Sequence, residues 1–68
     1  MVLTLELEQE RDGRWIAEVA ELSGVLTYGR TPEEATARAK ALALRVVADR
    51  IEQGEAGPEL LSISFAAA

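Results

Sequence analysis

Apolar and polar residues alternate strictly over residues 2–8: Leu3, Leu5 and Leu7 fall on one side of an extended chain, Thr4, Glu6 and Glu8 on the other. This is the period of a half-buried strand. After a polar break the pattern returns in Trp15, Ala17 and Val19, with Arg14 and Glu18 opposite, and Asp12-Gly13 between the two runs predicts a hairpin turn. Register restricts that turn. A two-residue Asp12-Gly13 loop sets Leu7 against Glu18, and a slip of one residue exchanges the faces of a strand, so this pairing is disfavoured. A three-residue loop over residues 11–13 pairs Leu7 with Ala17 and Glu10 with Arg14. A five-residue loop over residues 9–13 pairs Leu7 with Trp15 and Glu8 with Arg14. Both keep the apolar face intact and oppose unlike charges; both give Gly13 a positive φ. The pattern leaves the choice between three and five open.

Glu21-Leu22-Ser23-Gly24 reads as a bend with Leu22 tucked beneath it, and residues 25–28 as a third short strand ended by Gly29. Thr31-Pro32-Glu33-Glu34 is a helix entry: Thr31 caps free amides, Pro32 suits the first helical position, and Glu34 completes a capping box. The helix is predicted over residues 32–53, about 33 Å at 1.5 Å per residue, with Gly54 as its stop. Ala35, Ala39, Leu42, Ala43, Val46 and Val47 form the stripe expected on the sheet. Ala37, Ala41, Leu44, Ala48 and Ile51 form a second stripe, leaving Arg38, Arg45, Asp49 and Glu52 as the polar face. Two readings of this stripe stand: helix propensity and ordinary surface apolar residues, for the alanines above all, or a contact with a partner protein or a second subunit, formed by Leu44, Ala48 and Ile51. Residues 54–59 read as a polar turn, residues 60–65 as a last strand with Leu61, Ile63 and Phe65 alternating against Ser62 and Ser64, and residues 66–68 as a short tail.

The order β-β-β-α-β predicts an α+β fold. Three meandering strands are followed by a helix that returns the chain, so that the last strand lies parallel beside the first in a four-stranded mixed sheet of order 3-2-1-4. The long helix crosses one face. The other carries Val2, Thr4, Glu6, Arg14, Ile16 and Glu18, a mixed surface open to solvent or to another subunit.

Composition narrows the chemistry. At 68 residues without cysteine, the chain is a single domain over residues 1–68, near the size below which folds need staples, which favours self-association. It has no histidine, the commonest general base and transition-metal ligand. A net charge of −5, with six Arg and one Lys scattered among twelve acids, opposes a nucleic-acid surface, which needs clustered cations. The first residues lack the basic flank and apolar run of a signal peptide, and charges interrupt every apolar stretch, so the expectation is a cytoplasmic chain with no membrane span. Lys40, the only lysine, has no serine at neighbouring helical spacing, and no phosphate-cradling glycine loop is present. Carboxylate–metal chemistry is the more serious enzymatic candidate, because β-β-β-α is how a ribonuclease H-like fold opens. Yet Glu6, Glu8 and Glu18 alternate onto the solvent side, and Asp12 and Asp49 fall in a turn and near a helix end. Trp15 and Tyr28 lack the basic neighbours of a base-stacking platform and read as core or rim aromatics. No catalytic, cofactor-binding or metal-binding residue is assigned; the chain is expected not to be an enzyme.

Three runs carry a family resemblance: Asp12-Gly13-Arg14-Trp15-Ile16-Ala17-Glu18-Val19, Glu21-Leu22-Ser23-Gly24, and Gly29-Arg30-Thr31-Pro32-Glu33-Glu34-Ala35. Together they resemble the HicB-like antitoxin domain, with its D-G-aromatic-x-A start, its P-E-L-x-G bend and its G-x-T-x-E-E-A helix entry. Ala20 departs from the pattern where the family often has proline. The resemblance implies a partial ribonuclease H-like fold and a module that binds and blocks a small basic messenger-RNA-cleaving toxin of the HicA type. Longer members append a DNA-binding module; a chain closing soon after its last strand is expected to lack it and not to bind DNA directly. The alternative expectation is a solitary homo-oligomeric domain with another partner or a small-molecule role.

Overall fold

Three strands, a helix and a fourth strand follow one another in the computed structural model, which describes residues 1–55 and 57–68. They are β1 (Val2–Gln9), β2 (Trp15–Val19), β3 (Leu26–Gly29), α1 (Pro32–Glu52) and β4 (Ser64–Ala67), with a 3-10 turn (Pro58–Leu61) before β4. The sheet order is β3-β2-β1-β4; β1–β2 and β2–β3 are antiparallel, and β1–β4 is parallel. This is the predicted α+β arrangement, and its cause is the predicted one. A helix of this length carries the chain back along the sheet, so β4 enters in the direction of β1.

The first hairpin takes the three-residue loop. Leu7 pairs with Ala17 and Gln9 with Trp15; Glu10 N–H then donates to Arg14 O at 2.7 Å, and Gly13 N–H to Glu10 O at 3.0 Å. Gly13 has φ +93°. Asp12 fixes the turn by accepting from Arg14 N–H at 3.0 Å and Arg14 Nε at 2.8 Å. These bonds hold its carboxyl below the usual range, the Arg14 N–H contributing most. Between β2 and β3, Leu22 is buried beneath the bend, and Val19 N–H donates to Val25 O at 3.0 Å. β3 itself starts one residue later than predicted and includes Gly29.

The core is made of Leu3, Leu5, Ala17, Val19, Leu22 and Val25 from the sheet side and Ala35, Ala39, Ala43 and Val47 from α1. Small residues on α1 let its backbone come close to the strands. The approach is tightest at Gly29, where a Cβ would lie within 3.0 Å of three backbone atoms of the first helical turn. Thr31 Oγ1 accepts from Glu34 N–H at 3.0 Å. The Glu34 carboxylate reaches one residue further out than a capping box requires and accepts from Arg30 N–H at 3.2 Å. At the other end, Gly54 (φ +79°) closes a Schellman motif, with Gly54 N–H donating to Ile51 O and Glu55 N–H to Arg50 O.

The last segment differs from expectation. The strand predicted over residues 60–65 is a 3-10 turn followed by β4, and Ala66 and Ala67, read as tail, belong to the sheet. Pro58 opens that turn because its fixed φ suits a first helical position, and Leu60 N–H donates to Gly57 O at 3.0 Å. Leu61 therefore points outward, 91% exposed, while Leu60, Ile63 and Phe65 pack on the core. The ladder runs on to Leu5↔Ala67 because backbone pairing with β1 does not depend on the size of the side chain. Ala56, inside the turn predicted over residues 54–59, lies outside the described residues.

Candidate functional site

Two surfaces gather side chains that the core does not use. The first is the sheet face away from α1. Register places Glu6 opposite Glu18 and Glu8 opposite Ile16, then Ile16 opposite Tyr28 and Glu18 opposite Leu26. The result is a shallow depression of about 350 Å³ lined by Glu6, Leu7, Glu8, Ile16, Glu18 and Leu26. Its carboxylates are interleaved with Ile16 and Leu26. The ion pairs among the described residues are Arg14–Asp12 and Arg38–Glu34, so Glu6, Glu8 and Glu18 keep their charges unpaired. They do not converge on one point: no set of three or more His, Cys, Asp or Glu able to hold a metal ion occurs among the described residues.

Beside this depression Tyr28, expected to lack basic neighbours, has two: the Arg14 guanidinium lies 4.7 Å from its ring centroid, a cation–π contact, and Arg38 Nη1 donates to Tyr28 O at 2.9 Å. At the other end of the face, Glu21 accepts from Thr4 N–H and Thr4 Oγ1, both at 2.7 Å. These two bonds, the N–H first, hold the Glu21 carboxyl below its ordinary range. Leu26 and Tyr28 join the expected set of Val2, Thr4, Glu6, Arg14, Ile16 and Glu18. Their signal was present in the strand period, since Val25, Thr27 and Gly29 take the helix side and leave Leu26 and Tyr28 the other.

The second surface is the outer side of α1. Leu44 and Ile51 are 46% and 47% exposed, and Ala37, Ala41 and Ala48 beside them are exposed too. The residues expected to form an interface, Leu44, Ala48 and Ile51, thus share one free strip. Next to it, a groove of about 430 Å³ between α1 and β1 is lined by Leu7, Pro32, Glu33, Thr36, Ala37 and Lys40. This explains why Leu7, on the core side by alternation, is 45% exposed: α1 lies over β2 and β3 and leaves the end of β1 uncovered. Lys40 reaches across toward Phe65, Nζ 5.6 Å from the ring centroid. No described helix is long and apolar enough to cross a membrane. No family model, curated protein or solved structure matches the chain.

Proposed function

We propose that this chain is a binding module of the HicB-like antitoxin kind, which covers a small basic messenger-RNA-cleaving toxin through its open sheet face. The observation that carries the reading is the depression on that face, where three unpaired glutamates stand beside Ile16 and Leu26. Apolar contact supplies affinity at the centre of an interface, while a rim of one charge sign selects the partner and speeds its approach. The motif resemblance names the partner class: a HicA-type toxin, cationic because it grips RNA. The module needs no catalytic group of its own, and the reading includes a cytoplasmic location, where messenger RNA is met.

The test mixes the chain with the small basic, histidine-bearing protein encoded beside it and follows cleavage of a messenger RNA. The chain suppresses cleavage; Glu6→Lys/Glu18→Lys abolishes suppression while leaving the circular dichroism spectrum unchanged. Because Glu6 and Glu18 face each other across the ladder, Glu18→Lys alone also raises stability, by about 0.2–1 kcal/mol. Suppression that survives the double charge reversal sinks the assignment to this face. If no basic neighbour is encoded, the alternative of a solitary homo-oligomer takes precedence.

A further inference from the structure

The outer stripe of α1 has a spacing that helix propensity does not explain. Ala37, Ala41, Leu44, Ala48 and Ile51 follow one another at intervals of four, three, four and three, the a/d repeat of a coiled-coil seam. Two of the five are large aliphatic side chains left about half exposed. We propose that this seam pairs with the same seam of a second copy of the chain, the two helices running antiparallel.

Three observations select that occupant and that direction. The first is volume. An antiparallel pair with Leu44 of each copy against Ala48 of the other sets Ile51 against Ala41, so each of the four layers over residues 41–51 joins a large residue to a small one, and Ala37 lies beyond the paired segment. A parallel pair stacks Leu44 on Leu44 and Ala48 on Ala48, alternating bulges with gaps, and interior packing tolerates neither. The second is charge. Arg45 and Glu52 lie on the same flank of the seam, two turns apart, and neither has an ion-pair partner within its own chain among the described residues. The antiparallel arrangement brings Arg45 of each copy beside Glu52 of the other, twice by symmetry. A parallel pair brings Lys40 toward Arg45, a repulsion. The third is shape. The chain measures 41 × 19 × 16 Å and exposes 4595 Å², against about 4,200 Å² for a compact monomer of this mass. Its radius of gyration is 12.6 Å, against about 11 Å for a chain of this length. Pairing along α1 covers part of that excess. The paired segment, residues 41–51, spans about 15 Å of helix, so the interface falls at the small end of specific contacts and the dimer is concentration-dependent.

The chain has no cysteine, so introduced thiols report geometry without background. Ala41→Cys and Ile51→Cys chains, both altered at exposed positions, are oxidised each alone and, from fresh reduced protein, as a mixture. Expected are a disulfide-linked pair only in the mixture and a light-scattering mass that rises with concentration toward twice the 7.3 kDa of one chain. Leu44→Glu weakens association at least about tenfold, or about 1.4 kcal/mol, with an unchanged circular dichroism spectrum. Arg45→Glu weakens it, and Arg45→Glu/Glu52→Arg restores it. Self-linking of each cysteine variant alone overturns the antiparallel direction. A mass that stays at one chain at the highest concentration, or survives Leu44→Glu unchanged as a dimer, overturns the seam.

Discussion

Replacing Gly29 by alanine tests how closely α1 is held to the sheet. A Cβ at this position would sit 2.4 Å from Ala35 N, 2.9 Å from Ala35 Cα and 3.0 Å from Glu34 C. All three are backbone atoms of the first helical turn, so no rotamer change relieves the overlap, and the start of α1 has to lift by about an ångström to reach ordinary contact. Overpacking of this kind costs about 1–3 kcal/mol. The lift also stretches the bond from Thr27 Oγ1 to Ala35 O, 2.8 Å long, for about 1 kcal/mol more. Against this, alanine loses less chain entropy on folding than glycine, a gain of about 0.4–1 kcal/mol. The net loss is about 2 kcal/mol, a large share of the roughly 3–10 kcal/mol expected for a chain of this length. Thermal unfolding followed by circular dichroism then shows a fall in Tm of about 8–16 °C. Urea unfolding gives a lower midpoint with an unchanged slope. A Tm within 2–3 °C of the parent, about half a kcal/mol or less, refutes the reasoning: α1 would then be loosely docked and Gly29 a matter of local flexibility.

Thr31→Ala removes the acceptor for Glu34 N–H and lowers stability by about 1 kcal/mol in urea unfolding, while Thr31→Ser restores most of it. Glu21 has its carboxyl held below the ordinary range by Thr4. Its contribution is therefore complete above about pH 4.3, the unfolded value, and is lost as pH falls through the lower folded value. Urea midpoints of Glu21→Gln fall less between pH 5 and pH 3 than those of the parent. Leu61→Ser leaves stability within about 0.5 kcal/mol, since Leu61 is 91% exposed, whereas Leu60→Ala, which thins the packing on the core, lowers the unfolding midpoint measurably. Equal losses at the two leucines contradict the 3-10 turn before β4.

One helix leaves much of this sheet uncovered. A single helix is about 10 Å across, and a four-stranded sheet spans about twice that. α1 covers β2 and β3, leaving Leu7 half exposed and the far sheet face bare. That face carries Ile16, Leu26 and Tyr28 among its glutamates, a composition suited to a partner rather than to water alone. The stripe of Leu44, Ala48 and Ile51 on the opposite side of the molecule is a separate opportunity, so occupation of one surface does not block the other.

Periodicity by itself determined most of the architecture: the alternation in Leu3, Leu5 and Leu7, the cap at Thr31, the stop at Gly54 and the two stripes of α1. These are local properties, written in side-chain identity at intervals of two or of three and four. What required the tertiary structure was whatever depends on backbone pairing or on the extent of a neighbour. The choice of the three-residue loop rested on bonds made by Asp12 and Glu10. β4 extends into Ala66 and Ala67 because β1 is there to pair with, a fact no alanine side chain announces. Leu7 lies on the core side by its period and yet half in solvent, because the width of one helix, not the pattern of the strand, decides how far the core reaches.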